Sequence, residues 1–427
     1  MIKRFILAFI CLTTSATAQT VRVEQAPDTG FWQILVDGQP YFVNGAGGDT
    51  NLELLASLGG NTIRTWGADQ LEPRVWPDGR EMSLLDRAQE LGLKVCAGYW
   101  VEHPNHGFNY DDKAAVEAQL EEIRAVVNKW KDHPALLMWG VGNEVAGPDM
   151  ARVFRELNAI SKEIKKLDPN HPTYTSTAGI WPSHAALFAQ NCPDIDVLGV
   201  NAYAGLPAVP QELLRQGYDG PYLITEYGPI GHWECAVTPW GAEIEQPSAD
   251  KARTYAAFHH SAITNQPNRA LGGLIFLWGQ KQERTDTWYS MFLTTGEKTA
   301  TVDELARIWS GTYPGNRAPL VEGIESDLFF ATAKPGSKHA ASVSVSDPES
   351  DDLTYEWVVR RESSDKQHGG AFEQAPQDVP GAVHSSSSGA SVRVTVPEAP
   401  GAYRLHVYVR DDHGGAGTAN IPFQVKN

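Results

Sequence analysis

The stretch Leu136-Leu-Met-Trp-Gly-Val-Gly-Asn-Glu144 is an apolar run of strand length that ends in a glutamate. A second run of the same kind, Pro221-Tyr-Leu-Ile-Thr-Glu226, ends in another glutamate. Such continuous apolar runs are typical of strands buried in a parallel sheet, and the carboxyl ends of parallel strands meet at one edge. The two glutamates are therefore expected to face each other at the mouth of one sheet.

Similar apolar runs alternate with amphipathic stretches from Tyr41 to about Gly311, which is typical of repeated βα units. Helices are predicted over 113–131 and 149–167, and eight strands are predicted over 41–45, 61–66, 94–100, 136–141, 173–177, 197–202, 222–225 and 273–278. This pattern predicts an α/β fold, a closed (β/α)8 TIM barrel with its chemistry at the carboxyl ends of the strands. A doubly wound open sheet is the alternative, but no Gly-x-Gly-x-x-Gly turn follows the first predicted strand.

A Pro/Gly-rich segment over 313–319 follows the last predicted helix and is typical of a domain boundary. Beyond it, alternating apolar and polar residues at 341–345, 353–359, 391–396 and 403–409 predict a C-terminal immunoglobulin-like β-sandwich. The predicted organisation is a signal peptide over 1–18, a catalytic barrel over 19–312, a linker over 313–325 and the sandwich over 326–427.

The first residues have the pattern of a cleavable secretory signal. Lys3 and Arg4 precede an apolar stretch, and small residues lead up to Ala18. The apolar stretch is far shorter than the roughly 20 residues that a membrane-spanning helix needs. We therefore expect a secreted or periplasmic protein without a membrane span, whose mature chain begins at Gln19.

The formal net charge of −17 argues against nucleic acids and anionic membranes as partners, because basic patches supply affinity for both. A neutral polymer is an easier partner for this chain. Thirteen tryptophans, twelve of them before residue 312, suit a surface that stacks on sugar rings. We expect a monomer that needs no cofactor and no metal.

The cysteines beyond the signal segment are Cys96, Cys192 and Cys235, and their spacing matches no disulfide framework and no metal site. A bond between Cys192 and Cys235 remains an open alternative. The acidic loop over 347–352 has two readings, a calcium site or a solvated turn.

Paired carboxylates can carry out glycoside hydrolysis, in which one attacks the sugar and the other protonates the departing oxygen. Burial against aromatic residues raises the pKa of one carboxyl, whereas a nearby cation favours the charged form of the other. The alternative is that Glu144 and Glu226 are unrelated surface or ion-paired residues. Their matching positions at strand ends favour the catalytic interpretation.

The motifs Trp139-Gly-Val-Gly-Asn143-Glu144 and Thr225-Glu226-Tyr-Gly resemble the Asn-Glu and nucleophile motifs of glycoside hydrolase clan A, with a barrel like that of family 2. This resemblance covers the whole barrel. It implies that Glu144 is the acid/base, that Glu226 is the nucleophile, and that Asn143 binds the 2-hydroxyl of the sugar.

The same resemblance implies roles for three other residues. Arg64, in Asn61-Thr-Ile-Arg64-Thr-Trp, would support the nucleophile, and Tyr203, at the end of Gly199-Val-Asn-Ala-Tyr203, would donate a hydrogen bond to it. Trp278 would form the floor of the subsite beside the scissile bond. The alternatives are an ordinary ion pair for Arg64, a buried tyrosine and a tryptophan of the barrel core.

Other residues that follow predicted strands are candidates for sugar contacts. His103 belongs to a polar rim, and the tryptophans that could form outer sugar platforms are Trp66, Trp100, Trp181, Trp233, Trp240 and Trp288.

A lone barrel followed by one sandwich is most similar to glycoside hydrolase family 158, since family 2 enzymes normally carry sandwich domains before the barrel. The resemblance implies a retaining endo-β-1,3-glucanase that acts on laminarin-type β-glucan. A transglycosylase with the same residues is one alternative. Another clan A β-glycosidase acting on β-1,4-glucan, mannan or galactan is a second, and a non-catalytic carbohydrate-binding or adhesion protein is a third.

Overall fold

The computed structural model describes residues 19–367, 370–384 and 389–427, so the predicted signal peptide lies outside the described residues. The described chain opens with a three-stranded antiparallel sheet formed by β1 (Val21–Gln25), β2 (Trp32–Val36) and β3 (Gln39–Tyr41). Val21 and Ile34 of this sheet share a hydrophobic cluster with residues of several barrel strands. The sheet therefore covers the amino-terminal end of the barrel, an arrangement that the sequence patterns did not predict.

Eight parallel strands close into a barrel, which confirms the predicted (β/α)8 architecture. The elements of this region follow the chain in the order β4 (Val43–Gly47), α1 (Leu52–Ser57), β5 (Thr62–Arg64), the hairpin of β6 (Arg74–Val75) and β7 (Glu81–Met82), α2 (Leu84–Glu90), β8 (Lys94–Tyr99), α3 (Lys113–Trp130), β9 (Leu136–Asn143), α4 (Met150–Leu167), β10 (Thr173–Ala178), α5 (His184–Asn191), β11 (Val197–Asn201), α6 (Val209–Arg215), β12 (Tyr222–Tyr227), α7 (Ser248–His259), β13 (Ala270–Ile275) and α8 (Ala300–Ser310). The barrel strands among them are β4, β5 and β8 to β13.

The two predicted helices are present and begin at capping aspartates. The Asp112 carboxylate accepts a hydrogen bond from Ala114 N at 3.0 Å at the start of α3, and Asp149 accepts one from Arg152 N at 3.0 Å at the start of α4. A side-chain oxygen at this position satisfies an amide that has no partner within the helix. Local capping therefore sets where both helices begin.

The first and last predicted barrel strands are displaced from their observed positions. The first runs Val43–Gly47 instead of 41–45, and the eighth runs Ala270–Ile275 instead of 273–278. The apolar run continues to Trp278, so composition does not mark the end of the strand. The pairing of Gly272 to Ile275 with the first barrel strand fixes the boundary instead.

The C-terminal region contains two sheets. The first has the order β14-β16-β18 and the second β15-β20-β19-β17, and the strands are β14 (Leu320–Ser326), β15 (Thr332–Ala333), β16 (Lys338–Ser346), β17 (Thr354–Arg361), β18 (Ser391–Thr395), β19 (Gly401–Arg410) and β20 (Ala416–Val425). Residues of both sheets, including Val343, Trp357 and Leu405, share one hydrophobic cluster. Residues 320–325, expected in the linker, instead form most of β14 and pair with β16.

The C-terminal region packs against loops at the carboxyl end of the barrel. Arg404 Nη2 donates to Glu243 O at 2.8 Å, and Tyr408 Oη donates to Asp286 Oδ2 at 2.8 Å. Ala416 N donates to Lys298 O at 2.8 Å. Since these barrel residues follow β12 and β13, the C-terminal region lies beside the mouth where the candidate site is expected.

Cys96, Cys192 and Cys235, the cysteines that the structure describes, are free thiols, so the open alternative of a bond between Cys192 and Cys235 is not realised. Cys192 Sγ donates to Phe154 O in α4 at 3.3 Å, whereas Cys235 Sγ donates to His232 O at 3.4 Å. Within the described ranges, no helix combines the length and the apolarity needed to cross a membrane.

Asp347 and Asp351 of the acidic loop lie close to Asp411, which follows β19, and carboxylate oxygens of the three residues are within 4.8 Å of one another. Backbone amides of the same turns already bind two of these groups: Asp351 N donates to Asp347 Oδ1 at 2.9 Å and Gly415 N to Asp411 Oδ1 at 2.9 Å. The hydrogen bonds fit a turn stabilised by aspartates, and the cluster alone does not identify a metal site.

Candidate active site

Glu144 and Glu226 both line one cavity of about 1160 Å³. Glu144 directly follows β9 and has a φ of 52°, in the left-handed region that glutamate seldom adopts. Its amide donates to Ser176 O at 2.8 Å, which holds this turn against the next strand. Glu226 lies within β12, with 7% of its surface exposed.

The Glu226 carboxylate accepts three hydrogen bonds from side chains that end or follow β5 and β11. Arg64 Nη1 and Trp66 Nε1 donate to Oε1 at 2.8 and 2.7 Å, and Tyr203 Oη donates to Oε2 at 3.2 Å. Charge-assisted hydrogen bonds of this kind fix both the position and the orientation of a carboxylate. The Glu226 side chain is therefore held rigidly at the cavity wall.

Arg64 connects the two glutamate-bearing strands. Its side chain is buried, and Nη1 also donates to Thr225 O at 2.8 Å while Nη2 donates to Asn143 Oδ1 at 2.7 Å. These partners satisfy much of the hydrogen-bonding capacity of the guanidinium in the barrel interior. The alternative of an ordinary ion pair with a helix-end acid does not apply, because the ionic partner of Arg64 is Glu226.

The Glu144 carboxyl has a different environment. Burial and the neighbouring Glu226 raise its pKa from the ordinary value of 4.5 to about 7, partly opposed by a hydrogen bond from Asn201. Asn201 Nδ2 donates to Glu144 Oε1 at 2.8 Å. A carboxyl with this pKa carries a proton over much of the near-neutral range, as a general acid requires.

Asn201 was not among the residues predicted for the site. Its Nδ2 also donates to Asn143 Oδ1 at 2.9 Å, and its Oδ1 accepts from Thr225 Oγ1 at 2.7 Å. One signal was present in the sequence, a single amide at the end of the otherwise apolar run Val197-Leu-Gly-Val-Asn201. A buried amide requires hydrogen-bond partners, and here two of them are site residues.

Asn143 lies beside both glutamates and lines the cavity. Arg64 and Asn201 both donate to its side-chain oxygen. The NH2 group of the Asn143 side chain can therefore donate a hydrogen bond to a group in the cavity, as the expected contact with a sugar hydroxyl requires.

Four of the six tryptophans predicted as platforms line the cavity, and they fall into two groups. Trp66 donates to Glu226 and so belongs to the network around the carboxylates rather than to an outer platform. Three others line the cavity with partly exposed rings: Trp100 is 40% exposed, Trp181 63% and Trp233 58%. Exposed indole faces inside a cavity suit apolar stacking against sugar rings.

Trp278 does not form the floor of the cavity, which corrects the sequence prediction. It is fully buried, and its ring packs against Phe292 and Trp309 at centroid distances of 5.2 and 6.1 Å. Because β13 ends at Ile275, Trp278 lies beyond the strand end and joins the barrel core. Phe276 and Leu277 line the cavity in its place.

His103 is also displaced from its expected role as a sugar contact. It is 6% exposed and stacks between Trp100 and His106, with ring centroids 5.2 and 4.6 Å away. Burial and the nearby His106 lower its pKa to about 4. His103 therefore supports the Trp100 ring from behind as a neutral imidazole.

Two further tryptophans are not cavity residues either. Trp288 is 2% exposed, and its Nε1 donates to Ile230 O at 3.0 Å. Trp240 packs beside Phe330 of the C-terminal region, with ring centroids 6.0 Å apart. Both residues contribute to packing around the loops that follow β12 and β13.

A set of ion pairs at the edge of the cavity was not predicted. Lys281 Nζ lies 2.7 Å from Glu283 Oε2, and His232 Nε2 lies 3.2 Å from Glu283 Oε1. Arg284 forms ion pairs with Glu243 and with Glu373 of the C-terminal region. The partners other than Lys281 and Glu283 are far apart in the chain, so no local pattern in the sequence marks those pairs.

Residues 50–232 match the model of the TIM barrel domain of family 2 glycosyl hydrolases. The chain is 24% identical to the β-glucuronidase of Homo sapiens over 219 residues and 27% identical to that of Felis catus over 224 residues. Each alignment covers 46% of this chain and 32% of the relative, so the chain spans about a third of the length of these curated relatives.

The solved structure of β-D-glucuronidase from Dictyoglomus thermophilum superposes with a TM-score of 0.50 at 19% identity, over 68% of this chain and 53% of that one. This likeness concerns the fold. Both Glu144 and Glu226 lie inside the region that matches the family model. The barrel of this chain is thus similar to the TIM barrel domain of family 2 glycosyl hydrolases.

Proposed function

We propose that this protein is a secreted, retaining glycoside hydrolase that cleaves a β-linked polysaccharide, with Glu226 as nucleophile and Glu144 as acid/base. The observation that carries the proposal is the contrast between the two carboxyls. Three donors, one of them a buried arginine, bind Glu226. Burial and the nearby Glu226 carboxylate, in contrast, raise the pKa of Glu144 to about 7. Two carboxyls with separate environments are what acid and nucleophile roles require.

The reaction would proceed by double displacement. Glu226 attacks the anomeric carbon as the glycosidic C–O bond breaks, and the proton of Glu144 passes to the departing oxygen. Glu144 then removes a proton from water, which attacks the same carbon and releases Glu226. Asn143 is positioned to hydrogen-bond the sugar at this centre. The configuration at the anomeric carbon is retained because it is inverted twice.

The charges around the cavity support a neutral sugar rather than a uronic acid. The lysine and the arginine among the cavity-lining residues, Lys281 and Arg284, are each paired with a carboxylate. Glu234, whose carboxylate accepts hydrogen bonds from two backbone amides, adds negative charge to the lining, whereas Glu212 and Glu243 are themselves ion-paired. Among the lining residues that the structure describes, a sugar carboxylate would meet no unpaired lysine or arginine. The β-glucuronidase activity named for the relatives is therefore not the activity that we propose.

The size of the cavity and its aromatic lining support a polymer as substrate. Its volume of about 1160 Å³ is at the upper end for a small-molecule pocket. The partly exposed rings of Trp100, Trp181 and Trp233 offer more than one stacking surface. These features support a polymer as substrate. The specific activity that we propose, an endo-acting β-1,3-glucanase with laminarin-type β-glucan as substrate, follows the resemblance stated from the sequence.

We also propose that the barrel and the C-terminal sheets are separate domains and that the second is immunoglobulin-like. Seven strands in sheets of three and four support this, as does Tyr403 Oη, which donates back to Ala399 O at 2.8 Å as in a tyrosine corner.

The signal pattern before Gln19 supports secretion, which amino-terminal sequencing of the exported protein would test. A monomeric state remains our expectation, to be tested by light scattering.

The test of function incubates the purified protein with β-1,3-, β-1,4- and mixed-linkage glucans, mannan, galactan and a β-glucuronide, and resolves the products by chromatography. Glu226→Gln is the matched control because it keeps the size of the side chain and removes its charge. We expect oligosaccharides from β-1,3-glucan, and none with the control. Cleavage of another neutral polymer would keep the mechanism and replace the substrate, whereas release of glucuronate would contradict the charge argument.

Two other outcomes correspond to the remaining alternatives. Products longer than the added oligosaccharide would identify a transglycosylase, in which an acceptor sugar replaces water at the glycosyl-enzyme. Binding of a polymer without cleavage, and without labelling of Glu226 by a fluoroglycoside, would identify a carbohydrate-binding protein. The first outcome requires an oligosaccharide acceptor added to the panel, and the second requires a binding assay and the fluoroglycoside in addition to the panel.

A further inference from the structure

A short segment of the C-terminal region reaches the cavity of the barrel. Gly370 is one of the residues that line the cavity, and a Cβ atom on it would lie 3.2 Å from Lys281 Nζ. The backbone at Gly370 therefore passes directly beside a cavity residue that follows β13. The wall of the cavity is built from two parts of the chain.

Two ionic contacts, one buried and one partly exposed, hold residues on either side of Gly370 against the barrel. Glu373, which is 1% exposed, pairs with the Arg284 guanidinium and accepts from Arg284 N at 2.6 Å. Lys366 Nζ lies 2.6 Å from Glu243 Oε2. Arg284 and Glu243 are themselves cavity-lining residues, so these contacts attach Lys366 and Glu373 to the cavity wall.

Phe372 lies between Gly370 and the buried Glu373, and 79% of its surface is exposed. Consecutive Cα atoms are about 3.8 Å apart, so Phe372 lies no more than about 8 Å along the chain from the cavity wall. Because Glu373 is buried and ion-paired, the backbone that carries this ring is held in place. A single exposed apolar residue is common on protein surfaces. What distinguishes Phe372 is its position two residues from Gly370, which lines an aromatic-rich cavity.

We propose that the C-terminal region extends the substrate cleft and that Phe372 is a stacking platform for a sugar unit distant from the scissile bond. This inference rests on the proposed function and concerns the length of substrate that the cleft recognises. Aromatic faces contribute apolar contact area at low conformational cost, which suits the faces of sugar rings. A polymer reaches this platform, whereas a single sugar on an activated leaving group does not.

The test compares two substrates in the full-length protein, a soluble β-1,3-glucan and 2,4-dinitrophenyl β-D-glucoside. We expect Phe372→Ala to lower kcat/KM on the glucan about five- to tenfold through KM, the size of one aromatic contact. Activity on the short glucoside is expected to remain unchanged. Phe372→Trp, which keeps a stacking face, is expected to retain the activity on the glucan.

Phe31→Ala is the matched control. Phe31 is 41% exposed and precedes β2 in the sheet that covers the opposite end of the barrel. The Phe31→Ala substitution should leave the activities on the glucan and on the glucoside unchanged. Equal activity of Phe372→Ala and the unsubstituted protein on the glucan would overturn the inference, and so would a parallel loss on both substrates, since that indicates a structural effect.

Failure of the proposed function is a separate result. If the unsubstituted protein cleaves neither substrate, affinity electrophoresis in the same β-1,3-glucan replaces the kinetic assay. Slower migration of the unsubstituted protein that Phe372→Ala loses and Phe31→Ala keeps would support the platform without catalysis. Identical migration of the three proteins would overturn it.

Discussion

Glu144 is the residue whose ionisation should govern the pH dependence of the reaction. Burial and the neighbouring Glu226 raise its pKa to about 7, so the proton needed by the departing oxygen is present below that pH and lost above it. We expect kcat/KM to fall as pH rises through about 7. A pH profile on the cleaved glucan measures this, and a plateau that extends to pH 9 would contradict the role of Glu144 as acid.

Asn201 should tune that same pKa without touching the reacting atoms itself. Its hydrogen bond to Glu144 Oε1 opposes the upward shift, so Asn201→Ala is expected to move the alkaline limb of the profile to higher pH. Loss of one hydrogen bond to a charged group is expected to lower kcat by about ten- to a hundredfold. If kcat falls while the alkaline limb of the pH profile stays at the same pH, Asn201 does not act by tuning the pKa of Glu144, and the substitution disrupts the site in general.

The raised pKa of Glu144 also has a consequence for stability. A carboxyl whose pKa is higher in the folded state contributes stability below its unfolded pKa and loses it as pH rises through the folded value. Glu144→Gln is neutral at every pH, so it should raise the free energy of unfolding at pH 8, by at most about 3 kcal/mol. At pH 4 the gain should be absent. Urea unfolding at the two pH values decides this, and an equal effect at both would contradict it.

The residues of the candidate site were partly predictable from the sequence. Glu144, Glu226, Arg64, Asn143 and Tyr203 end or follow apolar runs, and the structure brings them together. Other predictions, among them Trp278 and His103 as sugar contacts, failed because side-chain direction depends on where a strand ends and on what packs behind it. Trp278 lies in the core, and His103 lies behind Trp100.

At the scale of elements, closure of the barrel depends on a close approach between β13 and β4. Gly272 has a φ of 125°, and a Cβ atom there would lie 2.1 Å from Val43 O. A side chain at this position cannot be accommodated without moving one strand away from the other. The glycine is therefore required where the last strand of the barrel meets the first.

Gly272→Ala should consequently destabilise the protein more than an alanine at another glycine of positive φ. Gly296 has a φ of 103° with no atom within 4 Å of a built Cβ, so Gly296→Ala carries only the conformational cost, about 1–2 kcal/mol. We expect Gly272→Ala to cost at least about 2 kcal/mol more, because it adds the clash with Val43. Equal unfolding free energies for the two variants would contradict this account of barrel closure.

Elements with strong internal patterns were predictable, and those that depend on distant partners were not. Helices α3 and α4 follow from their amphipathic periodicity and their capping aspartates. The β1-β2-β3 sheet was not predicted, since its strands are short and are held against the barrel by contacts such as Val21 N to Asn170 O at 2.8 Å. Nothing near Val21 in the sequence marks that partner.

At the scale of the whole molecule, polar contacts join the C-terminal sheets to the loops of the barrel. Asn420 Nδ2 donates to the buried Glu245 at 2.5 Å, and Thr418 N donates to Ser248 Oγ at 2.9 Å. Separation of the two parts would leave buried groups such as Glu245 without these partners. The two parts are therefore expected to stabilise each other.

We expect the two parts to unfold together in one cooperative transition. Differential scanning calorimetry should give a calorimetric enthalpy equal to the van't Hoff enthalpy. Asn420→Ala, which removes a buried donor to Glu245, should lower the transition temperature while keeping a single peak. Two resolved transitions in the unsubstituted protein would show that the interface contributes little to stability.

The sequence by itself determined that the fold is a (β/α)8 barrel, that the C-terminal region consists of β-strands, and that Glu144 and Glu226 lie at the same end of the barrel. These features depend on periodicity and on strand ends, which are local properties of the chain. The tertiary structure decided the environments of the two carboxyls, the burial of Trp278 and the contribution of Gly370 to the cavity wall. Those properties arise from contacts between residues distant in sequence, such as Arg64 with Glu226 and Arg284 with Glu373, which only the folded chain brings together.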